Sequence, residues 1–165
     1  MNTAPSTSQQ TTQVDAPAPC SAFDPDVIAR TPLFGGMTDE CRCVMTDRMQ
    51  IRQLHGHERL YSQGDTAREL YILAHGHLDV FRDGKKLAGL EPGDFFGEVS
   101  FLDMQPRGAS VVASEESVVY AIPYAALRQL YQVNMRAYAL IVMNLAREVC
   151  RRLSRAEQGL CSMKP

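Results

Sequence analysis

A glycine, a carboxylate and an arginine occur close together in the stretch Pro92–Ala113 and could jointly bind an anionic sugar. An arginine forms a charge-assisted fork to a phosphate group. Glu98 would repel a phosphate, but it can accept a hydrogen bond from a neighbouring hydroxyl. Gly97 before it has no Cβ and allows close approach of the backbone to a ligand. Together with Arg107, these residue types indicate a site for a sugar phosphate.

The segment around these residues predicts how they are positioned. Pro92-Gly93 is typical of a turn, and Phe95-Phe96 after it should anchor the chain in an apolar core. Val99–Leu102 predicts one helical turn starting near Glu98, whose unpaired N–H groups would face the same anion. An alternative stays open, in which Glu98 and Arg107 pair with each other in an empty pocket.

The phosphate-binding cassette of cyclic nucleotide-binding domains closely resembles this stretch, which has the sequence F-G-E-V-S-F-L-D-M-Q-P-R-G-A-S. The resemblance implies that Glu98 binds the ribose 2′-hydroxyl and Arg107 the cyclic phosphate, with backbone amides near Val99 and Ala109 joining in. The candidate ligand-binding residues are Phe96, Gly97, Glu98, Val99, Ser100, Arg107, Gly108, Ala109 and Ser110.

The same resemblance bears on which cyclic nucleotide binds. In cGMP-selective members a threonine directly after the arginine contacts guanine, whereas Gly108 has no side chain to do so. This favours cAMP, with cGMP as the less favoured ligand. The cAMP-dependent activators of the family offer adenine a Thr-Ser pair from their long helix. The corresponding stretch here is Arg151–Ser154 and lacks that pair, so the contact to adenine must differ or the base is not adenine.

Composition predicts one soluble domain without a basic surface for nucleic acid. The chain has 165 residues, is 45% hydrophobic and carries a net charge of −2. It has neither an apolar run of the roughly 18–20 residues that span a bilayer nor a recognisable signal peptide. We therefore expect a cytoplasmic protein that does not contact membranes. Its five cysteines are an odd number and are interpreted as free thiols, with a redox role as the alternative.

The N-terminal region divides into a tail and two short helices. Residues 1–22 lack the apolar pattern of a folded segment and predict a disordered tail. Asp24 is a candidate N-cap with Pro25 in the first helical position, and Thr38 is a candidate N-cap for a second helix.

The central region predicts short strands separated by turns. Four runs precede the cassette and two follow it, at Ser110–Ser114 and Val118–Ile122, and Asp83-Gly84 is a strong hairpin signal. This pattern alone is typical of a sandwich, barrel or roll. The resemblance implies an α+β, mainly β fold: an eight-stranded β-roll of the jelly-roll type, flanked by short N-terminal helices and a long C-terminal helix. The expected domain covers residues 23–160, with a short tail at 161–165.

Two His-Gly-His triplets, at residues 55–57 and 75–77, raise the possibility of a metal site. Residues two apart share a face of a strand, so each triplet could present two imidazoles. Their glycines match turn positions of the family, which favours histidines that flank turns. A metal-dependent oxygenase of the same fold is the least favoured alternative, and we expect no enzyme activity, metal or cofactor.

The C-terminal region predicts a short helix at Tyr124–Tyr131 and a long one from Asn134 to about Gln158. The long helix has an apolar seam with spacings of four and three, of the kind that pairs helices. The seam comprises Met135, Ala139, Val142, Ala146, Val149, Leu153 and Ala156. Tyr138, Ile141 and Leu145 widen this seam into a stripe that can serve two surfaces. One side of the stripe could pack on the roll, and the other side could pair with a second subunit. In the alternative, the helix only covers its own monomer.

The end of this helix is basic, with Arg147, Arg151, Arg152 and Arg155. DNA-binding regulators of the family carry a helix-turn-helix module after the long helix, and the chain ends at Pro165 without room for one, so no direct DNA binding is expected. The sequence thus predicts a cyclic nucleotide-binding regulatory protein that signals to an unidentified effector protein through movement of its C-terminal helix. The alternative is an interaction or scaffold protein of the same fold that binds no cyclic nucleotide or a different nucleotide.

Overall fold

Two four-stranded antiparallel sheets form the centre of the molecule in the computed structural model, which describes residues 22–161 and, for 159–161, the backbone only. Their strand orders are β1-β8-β3-β6 and β2-β7-β4-β5. The strands are β1 (Gln50–Leu54), β2 (Arg59–Tyr61), β3 (Glu69–His75), β4 (Leu78–Arg82), β5 (Lys85–Leu90), β6 (Phe95–Phe96), β7 (Ser110–Ala113) and β8 (Ser117–Pro123). The predicted eight-stranded roll is confirmed. The predicted tail at residues 1–22 falls almost wholly outside the described residues.

The helices lie before, within and after the strands, as the sequence predicts. They are α1 (Pro25–Arg30), the 3₁₀ turn Pro32–Phe34, α2 (Asp39–Thr46), α3 (Glu98–Leu102), α4 (Tyr124–Val133) and α5 (Met135–Cys161). Side chains cap three helix starts, because Asp24, Thr38 and Asn134 each accept a hydrogen bond from a backbone N–H of the following turn. The long helix ends at Cys161, beyond the predicted Gln158.

Strands β5 and β6 are the two that the sequence pattern did not locate. β5 forms a hairpin with β4, and φ is positive at both Asp83 and Gly84, as a type I′ turn requires. Every position of β5 except its last residue is exposed. Because neither face of the strand is buried, its sequence lacks the alternation of apolar and polar residues by which a strand is recognised. β6 has only two residues and pairs with β3.

Two apolar cores lie on opposite faces of the β1-β8-β3-β6 sheet. Successive side chains of β3 alternate between them, so Ile72 packs beneath the helices and Leu73 packs inside the roll. The two phenylalanines of the cassette do the same. Phe95 joins the helical core and Phe96 the roll interior, and both are buried as expected.

Helix α5 has one buried face, which packs in the helical core against α4, α3 and the 3₁₀ turn, and one accessible apolar seam. The packed face is formed by Ala137, Ile141, Asn144, Leu145 and Glu148, all of them buried. The residues of the α5 seam (Met135, Ala139, Val142, Ala146, Val149, Leu153 and Ala156) lie on the other side and are exposed or half-buried. The helix therefore covers its own roll and still leaves its seam accessible.

The histidines of both triplets flank turns, with positive φ at His57 and at Gly76. The first histidine of the first triplet, His55, contacts Glu116. The last histidine of the second triplet, His77, contacts Asp79 and Glu91. Within residues 22–158 no group of three or more His, Cys, Asp or Glu side chains is arranged so that it could hold a metal ion, so this part of the chain gives no support to the metalloenzyme alternative. Nor does this part contain a helix that is long and apolar enough to cross a membrane.

Candidate functional site

A turn and a glycine set the course of the cassette. Gly93 has φ of +98° and the Asp94 N–H donates to the Glu91 carbonyl at 2.9 Å, which closes the predicted turn. Gly97 has φ of +83° immediately before α3. A Cβ added at Gly97 would lie 2.5 Å from Nη1 of Arg107, so any larger residue would displace the arginine. Glycine is required here both for the backbone conformation and for space.

The carboxylate of Glu98 is buried and paired with helix α5. Its side chain is 2% exposed, and its Oε1 lies 2.8 Å from Nη1 of Arg152. Arg152 also donates from Nη2 to the Phe95 carbonyl at 2.5 Å and from Nε to Glu148 at 3.2 Å. Burial raises the pKa of Glu98, and the Arg152 guanidinium opposes that rise. The acidic group of the cassette is therefore attached directly to the C-terminal helix.

The guanidinium of Arg107 is held by backbone carbonyls and an aromatic face. Its Nη2 donates to the Glu69 carbonyl at 2.7 Å and its Nη1 to the Gly97 carbonyl at 3.2 Å. Its central carbon lies 4.2 Å from the centre of the Tyr61 ring, a cation–π contact. Glu98 and Arg107 therefore do not form the ion pair with each other that the alternative expected, since each has other partners.

Strand β3 supplies the support beneath Arg107. The Glu69 side chain is fixed by two neighbours, because Arg52 contacts its Oε1 at 2.7 Å and the Tyr71 hydroxyl donates to its Oε2 at 2.7 Å. Burial raises the pKa of Tyr71, and the adjacent Glu69 carboxylate raises it further. No local sequence pattern predicts this support, since its residues come from separate strands and Glu69 contacts Arg107 through its main chain.

Three other candidate residues of the cassette have different surroundings. Phe96 is buried in the roll and stacks on Tyr71, with ring centres 5.3 Å apart. Ser100 is buried, and its Oγ lies 3.5 Å from the Pro106 carbonyl, which closes the loop after α3. Val99 is 50% exposed, so its side chain points to solvent.

The last three candidate residues lead into β7. Gly108 is exposed, and its carbonyl accepts a hydrogen bond from Nε of Arg82 at 2.9 Å. Ala109 is half-buried. The Ser110 hydroxyl accepts a hydrogen bond from the Gln63 N–H at 2.8 Å. The structure thus brings Gly97, Glu98 and Arg107 together, while the Ser110 side chain is engaged elsewhere.

Arg152 is a further residue of the site that the sequence pattern does not identify. In the sequence it is one of four basic residues at the end of α5, and it lies in the stretch that is expected to face the base. The available signal was a cluster of arginines on a helix expected to cover the pocket, but nothing local distinguishes Arg152 from Arg151.

The fold and the site define a class of protein: a β-roll whose cassette presents a buried carboxylate and a buried arginine, with a long helix closing over the carboxylate. The sequence profile of the cyclic nucleotide-binding domain matches residues 51–134. The chain belongs to the cyclic nucleotide-binding domain family. The resemblance inferred from the cassette is therefore confirmed.

Similarities in sequence and structure to known proteins support this assignment. It is 34% identical over 135 residues to the cyclic AMP receptor protein of Thermus thermophilus, covering 79% of this chain and 61% of that protein. The crystal structure of the Thermus thermophilus catabolite activator protein matches with a TM-score of 0.69 and 33% identity, covering 81% of this chain and 63% of that one. A cyclic nucleotide-binding domain from Methylobacillus flagellatus matches in fold alone, with a TM-score of 0.75 and 22% identity, covering 85% of this chain and 82% of that one. The chain spans about three fifths of the receptor protein's length.

Proposed function

We propose that the protein is a non-catalytic regulator that binds cAMP at the cassette and signals occupancy through helix α5. The observation that carries this proposal is the ion pair between Glu98 and Arg152. Because the group expected to accept the ribose hydroxyl is ion-paired with α5, a ligand that engages Glu98 binds next to a contact of that helix and can change it.

The chemistry of the two buried side chains supports a sugar phosphate as the ligand. Arg107 now donates to neutral carbonyls, and a cyclic phosphate would offer it a charged acceptor instead. A guanidinium–phosphate pair joins two ionised groups and is often bidentate, which adds both energy and geometric specificity. Glu98 would accept from the ribose 2′-hydroxyl, in competition with Arg152.

Signalling requires that the ligand bind two arrangements of α5 with different affinity. Arg152 connects α5 to the cassette at the Glu98 carboxylate and at the Phe95 carbonyl. In the proposed mechanism, the nucleotide changes the contact between Arg152 and Glu98. Helices α4 and α5 then pack against the base in a new position. The changed surface of α5 is then offered to an effector protein.

Calorimetric titration with cAMP, cGMP and a cyclic dinucleotide tests the proposed ligand. We expect micromolar or tighter binding of cAMP and weaker binding of cGMP, because Gly108 has no side chain with which to contact guanine. If folded protein gives no heat with any of the three, the proposal fails.

One observation favours the second candidate, an interaction protein of the same fold that binds no cyclic nucleotide. The stretch Arg151–Ser154 lacks a Thr-Ser pair, and its first two residues are already paired, with Glu148 and with Glu98. A titration without binding would favour this candidate and leave α5 as the functional surface.

We further propose that two copies pair through the α5 seam. Ala146 lies at its centre and is exposed, so Ala146→Glu would place two like charges in the interface of a dimer. We expect sedimentation velocity to show a dimer for the natural protein and a monomer for this variant. Ser154→Glu adds the same charge to an exposed position outside the seam and should leave the dimer intact. A natural protein that stays monomeric at high concentration would instead mean that α5 only covers its own roll.

A further inference from the structure

Three arginines form a stripe along one face of α5. Arg147, Arg151 and Arg155 follow each other at intervals of four residues, and all three are exposed. At a rise of about 1.5 Å per residue, their Cα atoms extend over about 12 Å of the helix. This arginine stripe is a concentrated positive surface on a chain whose net charge is −2.

Little of the positive charge of the stripe is compensated within the protein. Arg151 pairs with Glu148 at 3.2 Å, but its side chain is 53% exposed. Arg147 donates to the neutral side-chain oxygen of Asn144 at 3.0 Å. Among the residues that the structure describes, Arg147 and Arg155 have no carboxylate partner. Guanidinium groups at such positions are available to an acidic partner.

The stripe borders two adjoining grooves of about 420 and 240 Å³, and both include Pro32 and Arg151. The larger groove is lined by Pro32, Gly35, Gly36, Leu140, Asn144, Arg147 and Arg151. The smaller groove is lined by Pro32, Asp94, Phe95, Glu148, Arg151, Arg152 and Arg155. Apolar residues thus contribute to the lining of both grooves beside the charged row.

We propose that this surface binds an acidic polypeptide segment in which apolar side chains alternate with carboxylates. A single small anion cannot reach all three guanidinium groups, so the partner must be extended. The apolar parts of the lining, Pro32 and Leu140, suit a side chain rather than a phosphate backbone. The partner class favoured by this chemistry is a protein with a short acidic, partly apolar segment.

This surface would remain accessible in a dimer formed through the α5 seam. The seam runs through Ala146 and Val149, whereas Arg147 and Arg151 lie on a neighbouring face of the same turns. Glu148 accepts hydrogen bonds from both Arg151 and Arg152, and Arg152 holds Glu98. An occupant of the stripe therefore adjoins the residue that links α5 to the cassette. The assignment of this partner as the effector rests on the proposed function, whereas its binding does not.

Fluorescence anisotropy measures the affinity of the surface for a labelled peptide in which Glu and Leu residues alternate. We expect the triple variant Arg147→Gln/Arg151→Gln/Arg155→Gln to bind at least about tenfold more weakly than the natural protein, because it loses three ion pairs. The matched control Arg30→Gln/Arg59→Gln/Arg128→Gln removes the same charge from exposed arginines elsewhere and should bind normally. Arg155→Gln alone should weaken binding without affecting folding, since Arg155 makes no hydrogen bond among the described residues.

Three results would overturn the proposal. They are no binding of the peptide to the natural protein, an equal loss in the control triple variant, and equally tight binding of a single-stranded DNA of similar charge that the stripe variant abolishes. A parallel cAMP titration separates the two proposals. Peptide binding that depends on the stripe, in a protein that does not bind cAMP, would support the surface and reject only the proposed ligand.

Discussion

Arg107→Ala is expected to weaken cAMP binding by about a hundredfold or more. The arginine would supply two charge-assisted hydrogen bonds to the cyclic phosphate, each worth about 1.5–3 kcal/mol. The surrounding residues hold its guanidinium in place for this role, with Glu69 and Gly97 accepting from its two terminal nitrogens. Calorimetric titration measures the change in affinity directly.

Two further variants make this test specific. Arg107→Lys keeps the charge but not the fork, so we expect an affinity between those of the natural protein and the alanine variant. Arg59→Ala removes an exposed arginine from β2 and should leave the affinity within a factor of about two, as surface substitutions usually do. Circular dichroism must show that each variant is folded, because Arg107→Ala leaves two carbonyls without their donor. A folded Arg107→Ala protein that binds cAMP normally would contradict the assigned role.

Arg152→Gln is expected to lower the free energy of unfolding by about 3 kcal/mol near pH 7. The reason is that Glu98 is only 2% exposed and would lose its cation while staying buried. Chemical denaturation measures the change. It should be much larger than for an ordinary surface ion pair, because the cost comes from the uncompensated charge that is left behind.

The loss of unfolding free energy in Arg152→Gln should depend on pH in a defined direction. Burial already raises the pKa of Glu98, and removal of the opposing Arg152 charge raises it further. The folded variant therefore holds a proton on Glu98 over a pH range in which the unfolded chain has released it. Linkage then requires that stability decrease as the pH rises above the pKa of the unfolded glutamate. We expect the deficit of Arg152→Gln to be smaller at about pH 5 than at about pH 7.

Arg151→Gln is the matched control for this prediction. Arg151 precedes Arg152 on the same helix and pairs with the same Glu148, but it is 53% exposed. Its replacement should cost less than about 1 kcal/mol and show no comparable dependence on pH. Equal losses in the two variants would mean that Glu98 does not depend on Arg152.

The sequence by itself determined the local features of this protein, because each depends on neighbouring residues. Asp24, Thr38 and Asn134 cap helices because the side chain of each residue accepts a hydrogen bond from an N–H group two or three residues later in the chain. Asp83-Gly84 forms its hairpin turn through backbone preferences alone. The cassette was recognisable because its residue types and spacing lie within one continuous stretch.

Only the tertiary structure decided which groups these residues meet. Arg152 and Glu98 are 54 residues apart, and their contact depends on where α5 crosses the cassette. That crossing is set by the packing of Ile141 and Leu145 in the helical core. The same packing turns the seam towards solvent and exposes the arginine stripe. A helical pattern in the sequence defines the faces of a helix, but the partner of each face follows from how distant elements pack together, which no local pattern encodes.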